Sequence, residues 1–189
     1  HVRDAALRAR PGERQEVARQ PGAAPTLGIG RRELRDRQVV VIDVLRATTV
    51  IAHALANGAE QIIPVASVEE ALTIKSQLDR DVALLCGERE GRRIAGFDLG
   101  NSPLEYDRDT VSGRSLVLAS TNGTVVLTRC AAAGRTLTAA FCNLSAVAAA
   151  MRSAGGCWII ACSGKLGRFC LEDAVCAGRL ARLALGPIE

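Results

Sequence analysis

From Val39 onward the chain alternates two patterns, and that alternation constrains the fold more than any other feature. Apolar runs of strand length stand at 39–44, 61–65, 82–86, 115–119, 136–141 and 157–162, bounded by Gly, Asp, Asn or Ser. Between most of them lie helical stretches at 47–57, 67–80, 122–133 and 143–154, and a last one at 171–185 follows the final run. Gly58, Gly134 and Gly155 follow three of these stretches, Ser67 with Glu70 spells a capping box, and Asn143 stands where an N-cap is needed. Strands that are apolar throughout, instead of at alternate positions, are buried on both faces. The pattern predicts an α/β fold of three layers, α/β/α, around a mainly parallel sheet.

Residues 1–36 break the pattern. Pro11, Pro21 and Pro25, several glycines and scattered arginines give no sustained apolar period, which predicts a loose basic leader ahead of one α/β domain at 37–189. The formal net charge of +4 resides there, because residues 1–38 carry nine arginines against five acids and the rest is balanced. A neutral body argues against a nucleic-acid face, and an aromatic content of 3% gives no stacking platform for single strands. The longest apolar runs are far too short to span a membrane. His53 is the one histidine besides His1, so a multi-histidine zinc site is out of reach. Seven cysteines without a C-x-x-C pair, most inside apolar runs, fit reduced cytoplasmic thiols that pack as small hydrophobes.

In open parallel sheets ligands gather beyond the carboxyl ends of the strands. The residues expected there are Asp43, Glu88, Thr121, Asn122, Asn143 and Ser163. After the first strand, Asp43 can hold a divalent cation, while Arg46, Thr48 and Thr49 can meet a phosphate or sulfonate. Equally, Thr48 can cap the helix and Asp43 can pair with Arg46. The stretch 86–105 is long, glycine-rich and carries Glu88, Asp98 and Glu105 among arginines, the mark of a functional loop. Ser120-Thr121-Asn122-Gly123-Thr124 reads either as a hairpin or as a strand-to-helix turn facing an anion; the helical spacing after it favours the turn. In 161–173, Gly164 and Gly167 let amides approach an oxyanion, and Lys165, one of only two lysines, adds charge with Arg168. It is not a Walker A loop, since Leu166 stands where Ser or Thr is required. Glu172 and Asp173 read equally well as first-turn helix acids.

Together these segments resemble a known family. V-V-V-I-D-V-L-R-A-T-T (39–49), A-L-A-N-G-A (54–59), G-E-R-x-G…G-F-D-L-G-N-S-P-L-E-Y (87–106), S-T-N-G-T (120–124) and C-S-G-K-x-G-R-F-C-L-E-D-A-V-C-A-G (162–178) are similar to the 2-phosphosulfolactate phosphatases, the ComB family of coenzyme M biosynthesis. The resemblance implies an α/β hydrolase that uses Mg²⁺ to release phosphate from 2-phosphosulfolactate. Residues 1–37 differ from the family's amino end, and the chain is expected to lack the family's carboxyl-terminal part.

Joined to the residue-level reading, this gives a definite expectation. Asp43, Glu88 and Lys165 are the catalytic candidates, with Mg²⁺ on Asp43 and Glu88 and then Asp98. Arg46, Thr48, Thr49, Asn122, Gly123, Thr124, Ser163 and Gly164 are expected to bind a small substrate carrying phosphate plus sulfonate or carboxylate. With no D-x-D motif and no usable histidine, water is favoured over a phospho-enzyme. A homo-oligomer is compatible with this reading. The alternatives are a phosphatase of another phosphorylated hydroxy acid and a non-catalytic anion-binding member of the same fold.

Overall fold

Strand β1 (Gln38–Ile42) is apolar at every position after Gln38, and the fold uses both of its faces. In the computed structural model, which describes residues 34–79 and 82–186, β1 is the middle strand of a sheet. It pairs in parallel with β6 (Arg135–Ala139) on one side and β7 (Trp158–Cys162) on the other, Val40 lying opposite Leu137 and Ile160. A second sheet runs β2 (Gln61–Val65), β5 (Ser115–Ala119), β3 (Ala83–Arg89) and β4 (Arg92–Arg93), parallel except for the short β3–β4 hairpin. Pro64 is accommodated because β2 is an edge strand, where a missing N–H breaks no ladder.

The helices are α1 (Ala47–Ala56), α2 (Val68–Gln77), α3 (Arg108–Val111), α4 (Gly123–Cys130), α5 (Leu144–Ala154) and α6 (Leu171–Leu185). Val39 and Val41 share a core with Val50 and Ile51 of α1, Val126 and Leu127 of α4, and Leu116 and Leu118 of β5. On the opposite face of β1, Val40 and Ile42 pack with Val147 and Met151 of α5 and Leu180 of α6. Val117 and Ala119, on the far face of β5, meet Ala71 of α2. Helices therefore cover both faces of each sheet, as continuous apolar strands require. The expected α/β/α layering is present, with residues of α1 and α4 sharing one core with strands of both sheets.

Local signals are met with one change. Ser67 Oγ accepts from Glu70 N at 3.1 Å and Glu70 Oε2 accepts from Ala66 N at 2.9 Å, closing the start of α2. Asn143 does precede α5, but its side chain turns back: Oδ1 accepts from Ala140 N and Nδ2 donates to the Thr138 carbonyl. It ties the strand end to the helix instead of capping a helix amide.

Of the basic leader drawn at 1–36, residues 1–33 lie outside the described residues. Leu34, inside that boundary, is buried at 1% exposure in the core shared by the two sheets. Leu34→Ala should lower unfolding free energy by about 2–4 kcal/mol, the usual cost of a Leu-sized cavity. Urea denaturation of the two proteins measures it, and an unchanged midpoint would remove Leu34 from the core.

Candidate active site

Directly after β1 the chain reaches Asp43, buried at 6% exposure. The turn that carries it is closed by its own threonines. Asp43 N donates to Thr48 Oγ1 at 2.9 Å, and the Thr48 hydroxyl lies 2.8 Å from both the Asp43 and Ala139 carbonyls. Thr49 Oγ1 donates to the Val44 carbonyl at 2.7 Å. Both hydroxyls expected to meet a ligand are thus engaged within the fold. Thr124 is engaged too: its Oγ1 accepts from Ser120 N, and its amide donates to Ser120 Oγ.

The Asp43 carboxyl group is surrounded by the Ala47 and Gly123 amides and the Ser163 hydroxyl. Burial above all, and then the charge of Asp173, push its pKa up from 3.8 to about 6 in spite of those donors. Gly123 opens α4 at this spot. A Cβ there would collide with Asp43 Oδ2 and come within 2.6 Å of Ala47 Cβ, so only glycine lets the helix start approach the carboxylate. The 120–124 segment is therefore a strand-to-helix turn, not a hairpin.

Asp173 is buried at 2% exposure and was not among the expected site residues. Its Oδ1 accepts from Val44 N at 2.8 Å; its Oδ2 accepts from Gly164 N at 3.0 Å and Ser163 Oγ at 3.4 Å. The Gly164 amide is directed inward to this carboxylate and not to a ligand. A sequence signal existed: Asp173, Cys176 and Leu180 form the buried stripe of α6 at helical spacing, and an acid on such a stripe needs a partner.

Glu88, also buried, works as a joint. Its Oε1 accepts from Thr121 N at 2.7 Å, and its Oε2 accepts from Gly91 N at 2.8 Å and Thr121 Oγ1 at 3.1 Å. Asn122 Oδ1 accepts from Leu166 N at 2.9 Å. Asp98 is elsewhere, bonded to Lys75 Nζ and Leu85 N at 2.9 and 2.8 Å. Partial burial works against its charge, yet these two donors hold its carboxyl below the usual range. Asp43, Glu88 and Asp98 are thus not one metal cluster, and among the described residues no three His, Cys, Asp or Glu side chains form one.

Three cations remain. Arg46 is half-buried, Lys165 and Arg168 are exposed, and no side-chain partner engages any of them among the described residues. Arg46 does not pair with Asp43, which sets aside the structural ion pair. Arg46 follows β1, and Lys165 and Arg168 follow its neighbour β7, so all three stand at the same sheet edge. Arg168 also lines a pocket of about 200 Å³, together with Ser163, Gly164, Phe169 and Cys170 among others. A buried acid with unengaged cations on the loops beside it suits a multiply charged anion.

The family model for 2-phosphosulpholactate phosphatase matches residues 28–187. The chain belongs to that family. A "Probable 2-phosphosulfolactate phosphatase" of Caldanaerobacter subterraneus subsp. tengcongensis is 44% identical over 152 residues, covering 80% of this chain and 63% of the relative. One of the same name from Thermotoga petrophila is 47% identical over 154 residues, covering 79% and 65%. The chain thus spans less than two thirds of the length of these phosphosulfolactate phosphatase relatives.

Two outcomes follow from the site. Gly123→Ala should destabilise the fold by roughly 1–3 kcal/mol through overpacking against Asp43; a variant as stable as wild type would show that the turn has slack. Asp43, titrating at 3.8 unfolded and about 6 folded, holds its proton more tightly in the native state. Its contribution is therefore greatest below pH 4 and is lost as pH rises through 6, by about 3 kcal/mol in all. Asp43→Asn should flatten the stability change over that window in metal-free protein, and an unaltered pH profile would contradict the burial of this charge.

Proposed function

We propose that this chain is part of a Mg²⁺-dependent phosphatase that hydrolyses 2-phosphosulfolactate to sulfolactate and inorganic phosphate, in the branch leading to coenzyme M. The family and the names of the relatives support the reaction. The observation that carries the reading to this site is the buried Asp43–Asp173 pair at the carboxyl end of β1, with Arg46 on the loop after β1 and Lys165 and Arg168 on the loop after its neighbour β7.

The donor set fits a hard divalent cation. Mg²⁺ takes one or two carboxylates and completes its shell with water and substrate phosphate. Asp43 would hold it, and the negative charge of Asp173 alongside favours a cation there. Bound, it would supply charge neutralisation for the phosphoryl oxygens. The chain's own residues do the rest. Lys165 and Arg168 bind and orient the phosphate, and Arg46 meets the sulfonate or carboxylate from the neighbouring strand. Glu88 and Asn122 hold the loops that frame the site, and water attacks the phosphorus as the P–O ester bond breaks, one of the water's protons ending on the sulfolactate hydroxyl.

The partner is thus a small anion, with neither nucleic acid nor membrane involved. No helix among the described residues is long and apolar enough to cross a membrane. All seven cysteines are free, which supports a reduced, cytoplasmic setting. A homo-oligomer remains part of the proposal.

Phosphate release from 2-phosphosulfolactate and from a panel of other phosphorylated hydroxy acids, with and without Mg²⁺, is the deciding experiment. Turnover of the sulfonate substrate alone supports the proposal; turnover of another acid, or none with binding retained, replaces it by one of its two alternatives. Lys165→Met should leave the fold intact and lower kcat/KM by about 10- to 150-fold, the equivalent of a lost charge-assisted hydrogen bond. Unchanged kcat/KM in the folded variant removes Lys165 from the site.

A further inference from the structure

Asp173 occupies the first turn of α6, where a carboxylate ordinarily serves its own helix. It does not do so here. Its oxygens accept from Val44 N, Gly164 N and Ser163 Oγ, none of which belongs to α6. Val44 is the residue after Asp43, and Gly164 is the residue before Lys165. One buried carboxylate therefore fastens the immediate neighbours of the two charged residues on which the site relies. Gly164 has a left-handed backbone with φ of 62°, and a Cβ there would collide with the Arg168 carbonyl, so the Lys165 loop begins at a tight turn whose inner amide is fixed by Asp173.

We infer that Asp173 is the positioning residue of the anion site, holding the Asp43 turn and the Lys165 loop in register. The inference rests on the phosphatase reading for its substrate. Asp173 acts through its neighbours and touches no reacting atom. A merely structural acid would lower stability and leave the folded protein's kinetics alone. A positioning acid makes the contribution of Lys165 conditional on its own presence, which is a statement about coupling.

The test is a double-mutant cycle on the full chain, well below every melting temperature. Asp173→Asn keeps one acceptor for Val44 and puts an amide against the donors of Gly164 and Ser163. Expected is a fall in kcat/KM for 2-phosphosulfolactate of about tenfold or more, shrinking to less than about threefold in a Lys165→Met background. Equal fold losses in both backgrounds, or no loss, overturn the inference. The same four proteins are melted with inorganic phosphate: the wild-type upward shift should be lost in Asp173→Asn and in Lys165→Met alike.

If the wild type releases no phosphate but is shifted by it, the phosphatase reading fails while the phosphate arm still decides the role of Asp173. A wild type that shows neither response overturns both. Should Asp173→Asn not fold, Ser163→Ala carries the cycle, removing one of the three donors with a small side-chain change. Its kcat/KM should fall by about threefold or more and be coupled to Lys165→Met; independence of the two overturns the inference.

Discussion

Everything at this sheet edge depends on keeping one carboxylate under cover. Burying an ionised group is expensive unless donors replace the water it leaves, and the Ala47 and Gly123 amides and the Ser163 hydroxyl, which is shared with Asp173, favour the charged form of Asp43. One of those amides opens α4, and it reaches the carboxylate only because Gly123 has no side chain to stand between them. The compensation is incomplete, as the upward displacement of the Asp43 carboxyl shows. A second buried acid beside it, Asp173, makes the imbalance worse. A fold that retains such a pair leaves a demand for positive charge at this point, from a cation, a proton or a rearranged side chain.

The same few residues explain how distant parts of the chain come together. Thr121, Asn122 and Gly123 are consecutive, and each fixes a different segment. Thr121 meets Glu88 at the end of β3, Asn122 meets Leu166 beyond β7, and Gly123 meets Asp43 beyond β1. The first belongs to one sheet and the other two to the other, so the β5–α4 turn joins the carboxyl ends of both. This is why Glu88, though not clustered with Asp43, still bears on it: its carboxylate sets the conformation of the turn that covers Asp43.

Strands and helices were legible because apolar runs and helical spacing are local. Their division into two sheets was not, since a strand buried on both faces looks the same whichever neighbours it has. Asp43 and Ser163 were readable from the rule that parallel sheets gather polar groups at their carboxyl ends. Thr48, Thr49, Thr124 and Gly164 suit ligand binding by residue type, but the three threonine hydroxyls bond to backbone groups of the turns and the Gly164 amide donates to the Asp173 carboxylate. Asp98 looked like a metal ligand because it sits in a glycine-rich loop, and its pairing with Lys75, 23 residues away, could not be read from local pattern. An acid in the first turn of a helix is ordinary in sequence, and only its place on the buried stripe of α6 sets Asp173 apart.

Subtracting the polar groups that hold the turns leaves a simple division of labour. The hydroxyls, the Asn122 and Glu88 side chains and the inner amides make the edge rigid, and they do so within the protein. Among the described residues, Arg46, Lys165 and Arg168 are cations at this edge with no side-chain partner, carried on two loops that Asp173 fastens together. What this edge leaves unengaged is side-chain charge and not a cradle of backbone amides, in contrast to a phosphate-binding loop. Long cationic side chains give reach but little geometric precision of their own. The precision has to come from the loops beneath them, and those loops are ordered by carboxylates whose own charge is buried.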